Sequence, residues 1–344
     1  MINKCENCGG RIVFSPKNKG NVCEKCNSVF SINYIQSFNK KTFDNAMPVE
    51  DDKLVDKLTN FKCSSCGASV LVNKGQLQAR CAYCGDSSLV KSRKSSLMYI
   101  DSIIPFNFDR DEALNLLKTE VKRRSFVRKS ITKHLTSEDV SGTYVNAFVF
   151  DVSTQSRYSG VFSYTRTYKT QDGETKTETV RKNVSGEFSK LYKNLTIEAN
   201  SHLEQHDLNT IEPFDYTNAV EFKEDFMNGY MLEYQDKPFD DCFKTAENFI
   251  KSDIKRCLLK KHGCDNIISL NLEVNYPERK YNYVLLPVYF VNYFDEKKNK
   301  NHKILVNGQT GKVGSLPVNG WKIFFLVFGI CAIITALILS IVLL

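Results

Sequence analysis

The sequence is poor in the residues that most often perform chemistry. It holds five histidines in 344 residues, and none sits in a metalloprotease motif. His202 and His206 of SHLEQHD stand four apart, but Glu204 lies roughly 200° around a helix from His202, on the wrong face for a general base. A solvated polar helix is expected there. His134, His262 and His302 stand alone in the sequence. No nucleophile lies beside a base, and no carboxylate pair has a distinctive spacing. A phosphate loop is missing too. In ILVNGQTGKVGSLP, residues 304–317, Lys312 is followed by Val313 instead of a hydroxyl residue, and Val306 occupies the place of the first loop glycine. DEAL at 111–114 resembles an acidic helicase motif, but Leu114 replaces its histidine and no apolar strand leads directly into it. Nucleotide hydrolysis is thereby not expected, and the chain is not expected to be an enzyme.

The cysteines supply the pattern that is present. Eight of twelve fall into two matched sets: Cys5, Cys8, Cys23 and Cys26 from CENC and CEKC, then Cys63, Cys66, Cys81 and Cys84 from CSSC and CAYC. The second set repeats the first at a fixed offset. Four thiolates at about 2.3 Å close a tetrahedron around zinc and leave no open position, so both sites are expected to be structural Zn2+ sites. Each pair needs a tight knuckle with a left-handed residue after its second cysteine. Gly9, Gly67 and Gly85 stand there, with Asn27 at the fourth position. Residues 1–36 and 61–92 therefore read as two zinc ribbons joined by a linker at 37–60. A cross-braced arrangement, one metal held by the first pairs of both sets, requires more loop closure. Disulfides would need an oxidising compartment, and MINKCENC contains no apolar export segment. Cys242, Cys257, Cys264 and Cys331 have no pairing pattern and read as small apolar residues.

The formal charge of +8 is concentrated in the N-terminal quarter. Lys74, Arg80, Lys91, Arg93 and Lys94, with Phe61 and Tyr83 among them, are expected to form a basic surface open to protein or nucleic acid.

From 98 to 316 the chain mixes strands and helices. DRDEALNLLKTEVKRRS predicts a helix capped near Asp109, with Ala113, Leu116, Leu117 and Val121 on one face. A second long helix is predicted from Asp240 to His262, with basic residues in its last turn and Gly263 as its stop. TYVNAFVFDV, SRYSGVFSYTRTY, TKTETVRK, NIISLNLEV and YNYVLLPVYFVNYF read as strands. The Asn307-Gly308 pair reads as a hairpin between two late strands. IIPFNF echoes IEPFDY, and YVNAFVFD echoes YVLLPVYF, so the body reads as two copies, 98–200 and 205–316. The last 22 residues, 323–344, carry no charge, which predicts a helix spanning a bilayer of about 30 Å. Lys303, Lys312 and Lys322 before it favour a cytoplasmic body. The expected fold is α+β: two rubredoxin-like ribbons, a mixed body and a transmembrane helix at 322–344.

The order of these parts resembles bacterial membrane proteins of the TFIIB-type zinc-ribbon group, some of which carry a primosomal-helicase label. The likeness rests on the ribbon cysteines, PF before a helix, SGTYVNAFVFDVSTQSRYSG, LPVYFVNY, VNGQTGKVGSLP and the apolar tail. It implies a single-pass adaptor at the cytoplasmic face of the cell membrane, bound to lipid by its last helix, recruiting PspA-like or flotillin-like proteins in membrane stress. A membrane-tethered nucleic-acid binder is the alternative. Asn146 and Phe148 depart from the Pro and Trp of the group.

Overall fold

The computed structural model describes residues 4–43, 51–74, 80–92, 97–133, 135–295, 300–318 and 320–342. Strands β1 (Ile12–Ser15), β2 (Gly20–Cys23) and β3 (Val29–Ser31) form a three-stranded antiparallel sheet. Its own core is small: Cys5, Ile12 and Cys23, with Cys8 and Phe30 packed against them.

The remaining strands belong to one mixed sheet of twelve. It is entered by β4 (Lys41–Thr42), helix α1 (Asp52–Lys57), β5 (Leu58–Cys63), β6 (Ser69–Asn73), β7 (Leu89–Lys91) and β8 (Ser102–Ile103). Helix α2 (Arg110–Arg123) follows, its first turn capped by the Asp109 carboxylate accepting from the Glu112 amide at 2.9 Å. Two long strands, β9 (Val140–Lys169) and β10 (Thr175–Glu198), form a hairpin. Next come α3 (Gln205–Ile211), β11 (Val220–Glu221), β12 (Met231–Glu233) and α4 (Phe239–His262). The chain ends with β13 (Asn266–Asp295), β14 (Lys300–Asn307), β15 (Val313–Gly314) and α5 (Gly320–Val342).

β9 and β13 run antiparallel through the middle of the sheet. The outer side of β9 is paired first by β12 and then by β10. That of β13 is paired in turn by β4, β8 and β14. A strand, helix, long strand and return strand thus occur twice, as β8, α2, β9, β10 and as β12, α4, β13, β14. Each leading strand pairs parallel with the long strand of the other unit. YVNAFVFD and YVLLPVYF are direct neighbours, with Phe148 opposite Tyr283 and Val145 opposite Leu286. The IEPFDY segment is not the counterpart of IIPFNF, since the second unit begins later, at β12. Helix α4 covers one face of the long strands with Cys242, Ala246, Ile250, Ile254 and Leu258, all buried.

Three expectations are corrected. The body is dominated by one mixed β-sheet with few helices, so it is not a balanced α+β fold. The second cysteine module is not a self-contained ribbon either. Its β5, β6 and β7 are strands of the large sheet, β6 pairing with β12 through Leu71 and Leu232. Its cysteines share a core with Val145, Val284 and Phe290. Third, among the described residues no helix is long and apolar enough to cross a membrane. Side chains at 322, 323, 325, 326 and 337–342, and residues 343 and 344, lie outside the described set. The expected span at 322–344, the lipid bilayer as its partner and the single-pass membrane placement are withdrawn on that finding.

Candidate metal centres

Each of the four cysteine pairs folds into the same knuckle. The amide of the first cysteine donates to the carbonyl five residues on, and the residue after the second cysteine donates back. In the first pair these bonds are Cys5 to Gly10 and Gly9 to Cys5, both 2.8 Å. Cys23 with Ser28 and Asn27, Cys63 with Ala68 and Gly67, and Cys81 with Asp86 and Gly85 repeat the pattern at 2.8–3.0 Å. The turn closes only through a left-handed residue, and φ is 67° at Gly9, 59° at Asn27, 79° at Gly67 and 75° at Gly85.

The knuckles bring the sulfurs together within each set, not across sets. In both groups the four Sγ atoms lie within 4.8 Å of one another. Cys5 and Cys26 are 3.6 Å apart and Cys8 and Cys23 3.5 Å. In the second set, Cys63 and Cys84 are 3.6 Å apart and Cys66 and Cys81 3.7 Å. A tetrahedron with metal–sulfur bonds of about 2.3 Å has edges of about 3.8 Å, so either set fits one ion. All twelve cysteines are free thiols. Around Cys26, the Ser28 hydroxyl and amide hold the thiol down to about 6. Burial pushes Cys84 up to about 11 and raises Cys81 still further. A metal bound at the second set would displace protons from Cys81 and Cys84.

The two centres are seated differently. The first stands on its own small sheet and docks through Phe14, whose ring meets Phe226 at 5.2 Å and Tyr230 at 6.3 Å. The second is built into the body. Tyr83, between Cys81 and Cys84, is buried and donates its hydroxyl to Glu233. Asn292 of β13 donates to the Ala82 carbonyl at 2.8 Å and lies against Gly85. A cleft of about 250 Å3 beside this centre is lined by Cys66, Cys84, His202, His302 and Lys303.

The chain is similar to the uncharacterized protein YdjG of Bacillus subtilis (strain 168). The two are 24% identical over 240 residues, covering 69% of each chain. No family model matches, and no solved structure does. These matches support a likeness to YdjG and not the TFIIB-type assignment.

The other sequence candidates find different places. Tyr83 is turned inward and Phe61 is half-buried, so neither aromatic lies open on the expected basic surface. Arg80 pairs with Asp139 at 3.2 Å, and Arg93 and Lys94 lie outside the described residues. His202 precedes α3 while His206 is within it, so the two do not share a helical face. His134 also lies outside the described residues.

The NGQTGK segment is a clamp. The Asn307 side chain accepts from the amides of Gln309 at 2.9 Å and Thr310 at 3.0 Å, and donates to the carbonyls of Ile211 and Pro213. Gln309 exchanges two bonds with the backbone of Asp215, and Gly308 accepts from the Asn107 amide. The loop thus ties IIPFNF to IEPFDY. Its amides at Gln309 and Thr310 are already spent on Asn307, so they cannot cradle a phosphate.

Sequence reasoning missed a buried acidic network beside the second centre. Glu233 is fully buried and accepts from the Asn146 amide at 3.2 Å, while Glu198, also buried, meets Lys237 at 2.6 Å. Burial raises both carboxyls, Glu198 to about 8 despite Lys237. The only sequence signal was an acid inside the apolar run YMLEY.

Proposed function

We propose that this chain is a zinc-stabilised adaptor, in which two structural four-cysteine sites hold recognition surface in place and the first module recruits a protein partner. The observation that carries this reading is the closed spacing of both sulfur sets. A four-thiolate site offers no position for water or substrate, so zinc there would supply folding energy and no catalysis. Cys5, Cys8, Cys23 and Cys26 would hold one ion, and Cys63, Cys66, Cys81 and Cys84 the other. The resemblance to the TFIIB-type zinc-ribbon group agrees with it. The first module also exposes Val29, on its edge strand β3, and Ile35, at 71% exposure. Exposed apolar side chains on so small a module are the kind of surface that a partner protein covers.

The test is metal content together with partner capture. Full-length protein purified without chelator should carry two zinc equivalents. A photo-crosslinking residue at Ile35 should trap a protein in cells, and Cys26→Ser should abolish the capture. Metal-free folded protein would overturn the structural-zinc part. Capture unchanged in Cys26→Ser would overturn the recruiting role, and nucleic acid trapped at Ile35 would favour the nucleic-acid alternative.

A further inference from the structure

Beyond the two centres, the far end of the large sheet is a blade of three strands in the order β13, β9, β10. Its two edges are unlike. The β13 edge is interrupted by register shifts between Ile267 and Ser269 and between Asn275 and Glu278. Pro277, within the second shift, has no N–H to offer. Such an edge resists further pairing. Among the described residues, the outer side of β10 pairs with no strand, and its register against β9 is unbroken from Thr175 to Tyr192. No proline or bulge blunts that stretch. A long regular edge is a template for another strand, and proteins generally protect it unless it is used.

The side chains along β10 indicate what covers it. An antiparallel pairing with β10 of a second copy, about a two-fold axis at Val184, sets Arg181 opposite Glu187, Val180 opposite Phe188, and Glu178 opposite Lys190, whose ammonium already meets Asp253 of its own chain at 2.5 Å. Symmetry makes each pair twice. Directly opposed residues share a face of the sheet and interact. Neighbouring registers are worse. Centring on Asn183 sets Lys176 against Lys190, and centring on Gly186 sets Lys182 against Lys190. Centring on Ser185 brings no opposite charges together. Arg181 and Glu187 are exposed, and Glu187 is held only by a 3.4 Å contact to the equally exposed Arg157. The Glu187 carbonyl accepts from the Lys261 ammonium at 3.1 Å, a contact that a pairing strand would displace. Lys261 is exposed and can give way.

We propose that β10 is a homodimerisation edge: two copies join through antiparallel β10 strands centred on Val184, making one continuous sheet from the two blades. The occupant is a second copy because the charge pattern is complementary to itself.

The test uses the full chain carrying Val184→Cys. Mild oxidation should give a reducible covalent dimer, whereas Asp172→Cys, in the turn at the far end of the hairpin, should give no more than the unmodified chain. Adding Arg181→Glu to Val184→Cys should cut the dimer about tenfold, since two attractions become two repulsions. Adding Glu187→Arg to that variant should restore it. If Val184→Cys does not fold, an equal mixture of Asn183→Cys and Ser185→Cys chains, both at exposed positions, should crosslink to each other more than either does alone. The proposal is overturned if Val184→Cys, or that mixture, crosslinks no better than Asp172→Cys, or if the charge swap fails to restore the dimer.

Discussion

The hydroxyl of Tyr83 donates to the buried carboxyl of Glu233, joining the second cysteine set to the middle of the large sheet. Among the described residues, the Glu233 carboxyl accepts from one other donor, the backbone amide of Asn146. Removing the hydroxyl leaves a buried acceptor short of a partner, which costs about 1–3 kcal/mol. Tyr83→Phe should lower the unfolding free energy by that amount while leaving the metal content unchanged, because the four sulfurs do not depend on the hydroxyl. Equilibrium unfolding with metal analysis checks both parts. Glu233→Gln should be milder, since the amide oxygen still accepts.

Glu198 carries a pH signature. Burial lifts its carboxyl from 4.5 to about 8. Below about pH 4.5 the group is protonated in both the folded and unfolded chain. Between 4.5 and 8 only the unfolded chain releases the proton, so the folded state binds more protons and its stability falls as pH rises. The loss across that window is on the order of 2–4 kcal/mol. Glu198→Gln should flatten the slope by this amount, measured as the difference between variant and parent in urea unfolding from pH 5 to 8. A steeper slope in the variant would contradict the assignment.

The cysteine sets were legible in the sequence because a knuckle is local: its spacing and its left-handed residue sit within a few positions of each other. Helices α2 and α4 were legible for a similar reason, since Ala113, Leu117 and Val121, or Ala246, Ile250 and Ile254, mark one face by period alone. What remained hidden was non-local. Nothing in SVLVN says that Leu71 pairs with Leu232 and not with another hairpin, so the second module looked independent. Strand β9 was read as two pieces because it is buried on both faces from Gly142 to Phe150 and then on one face from Val152 to Tyr158. That change in patterning imitated a boundary. Glu233 carried no signal of its own, since sequence alternation cannot distinguish an exposed acid from one with a tyrosine delivered by a distant knuckle.

The different seating of the two centres predicts different consequences of losing them. Cysteine sulfurs and Ile12 are the buried core of the first sheet, whereas the second set is embedded with Val145, Val284 and Phe290. Cys26→Ser should therefore unfold residues 4–31 alone, and Cys81→Ser should weaken the large sheet from β5 through β12 to β9. Hydrogen exchange separates the outcomes. In the first variant, loss of protection stops at β3; in the second it reaches Thr143 and Tyr144, which pair with β12. Equal, global loss in both would mean that the first module is not a separate cooperative unit.

The NGQTGK clamp gives a test of whether that loop is structural. Asn307 is buried and makes four side-chain bonds to backbone groups. Asn307→Ala should cost on the order of 3 kcal/mol or more, because donors and acceptors remain buried without partners. Asn307→Asp should not rescue it, since a carboxylate can still accept from Gln309 and Thr310 but would face the carbonyls of Ile211 and Pro213 without a proton to donate. Gly308 tests the same clamp by volume. A Cβ there would lie 2.4 Å from the Phe106 ring and 3.0 Å from Pro287, so Gly308→Ala should destabilise by about 1–3 kcal/mol. Thermal unfolding of the three variants should rank them all below the parent. If Asn307→Ala melted with the parent, the two PF segments would have to be held together by something other than this loop.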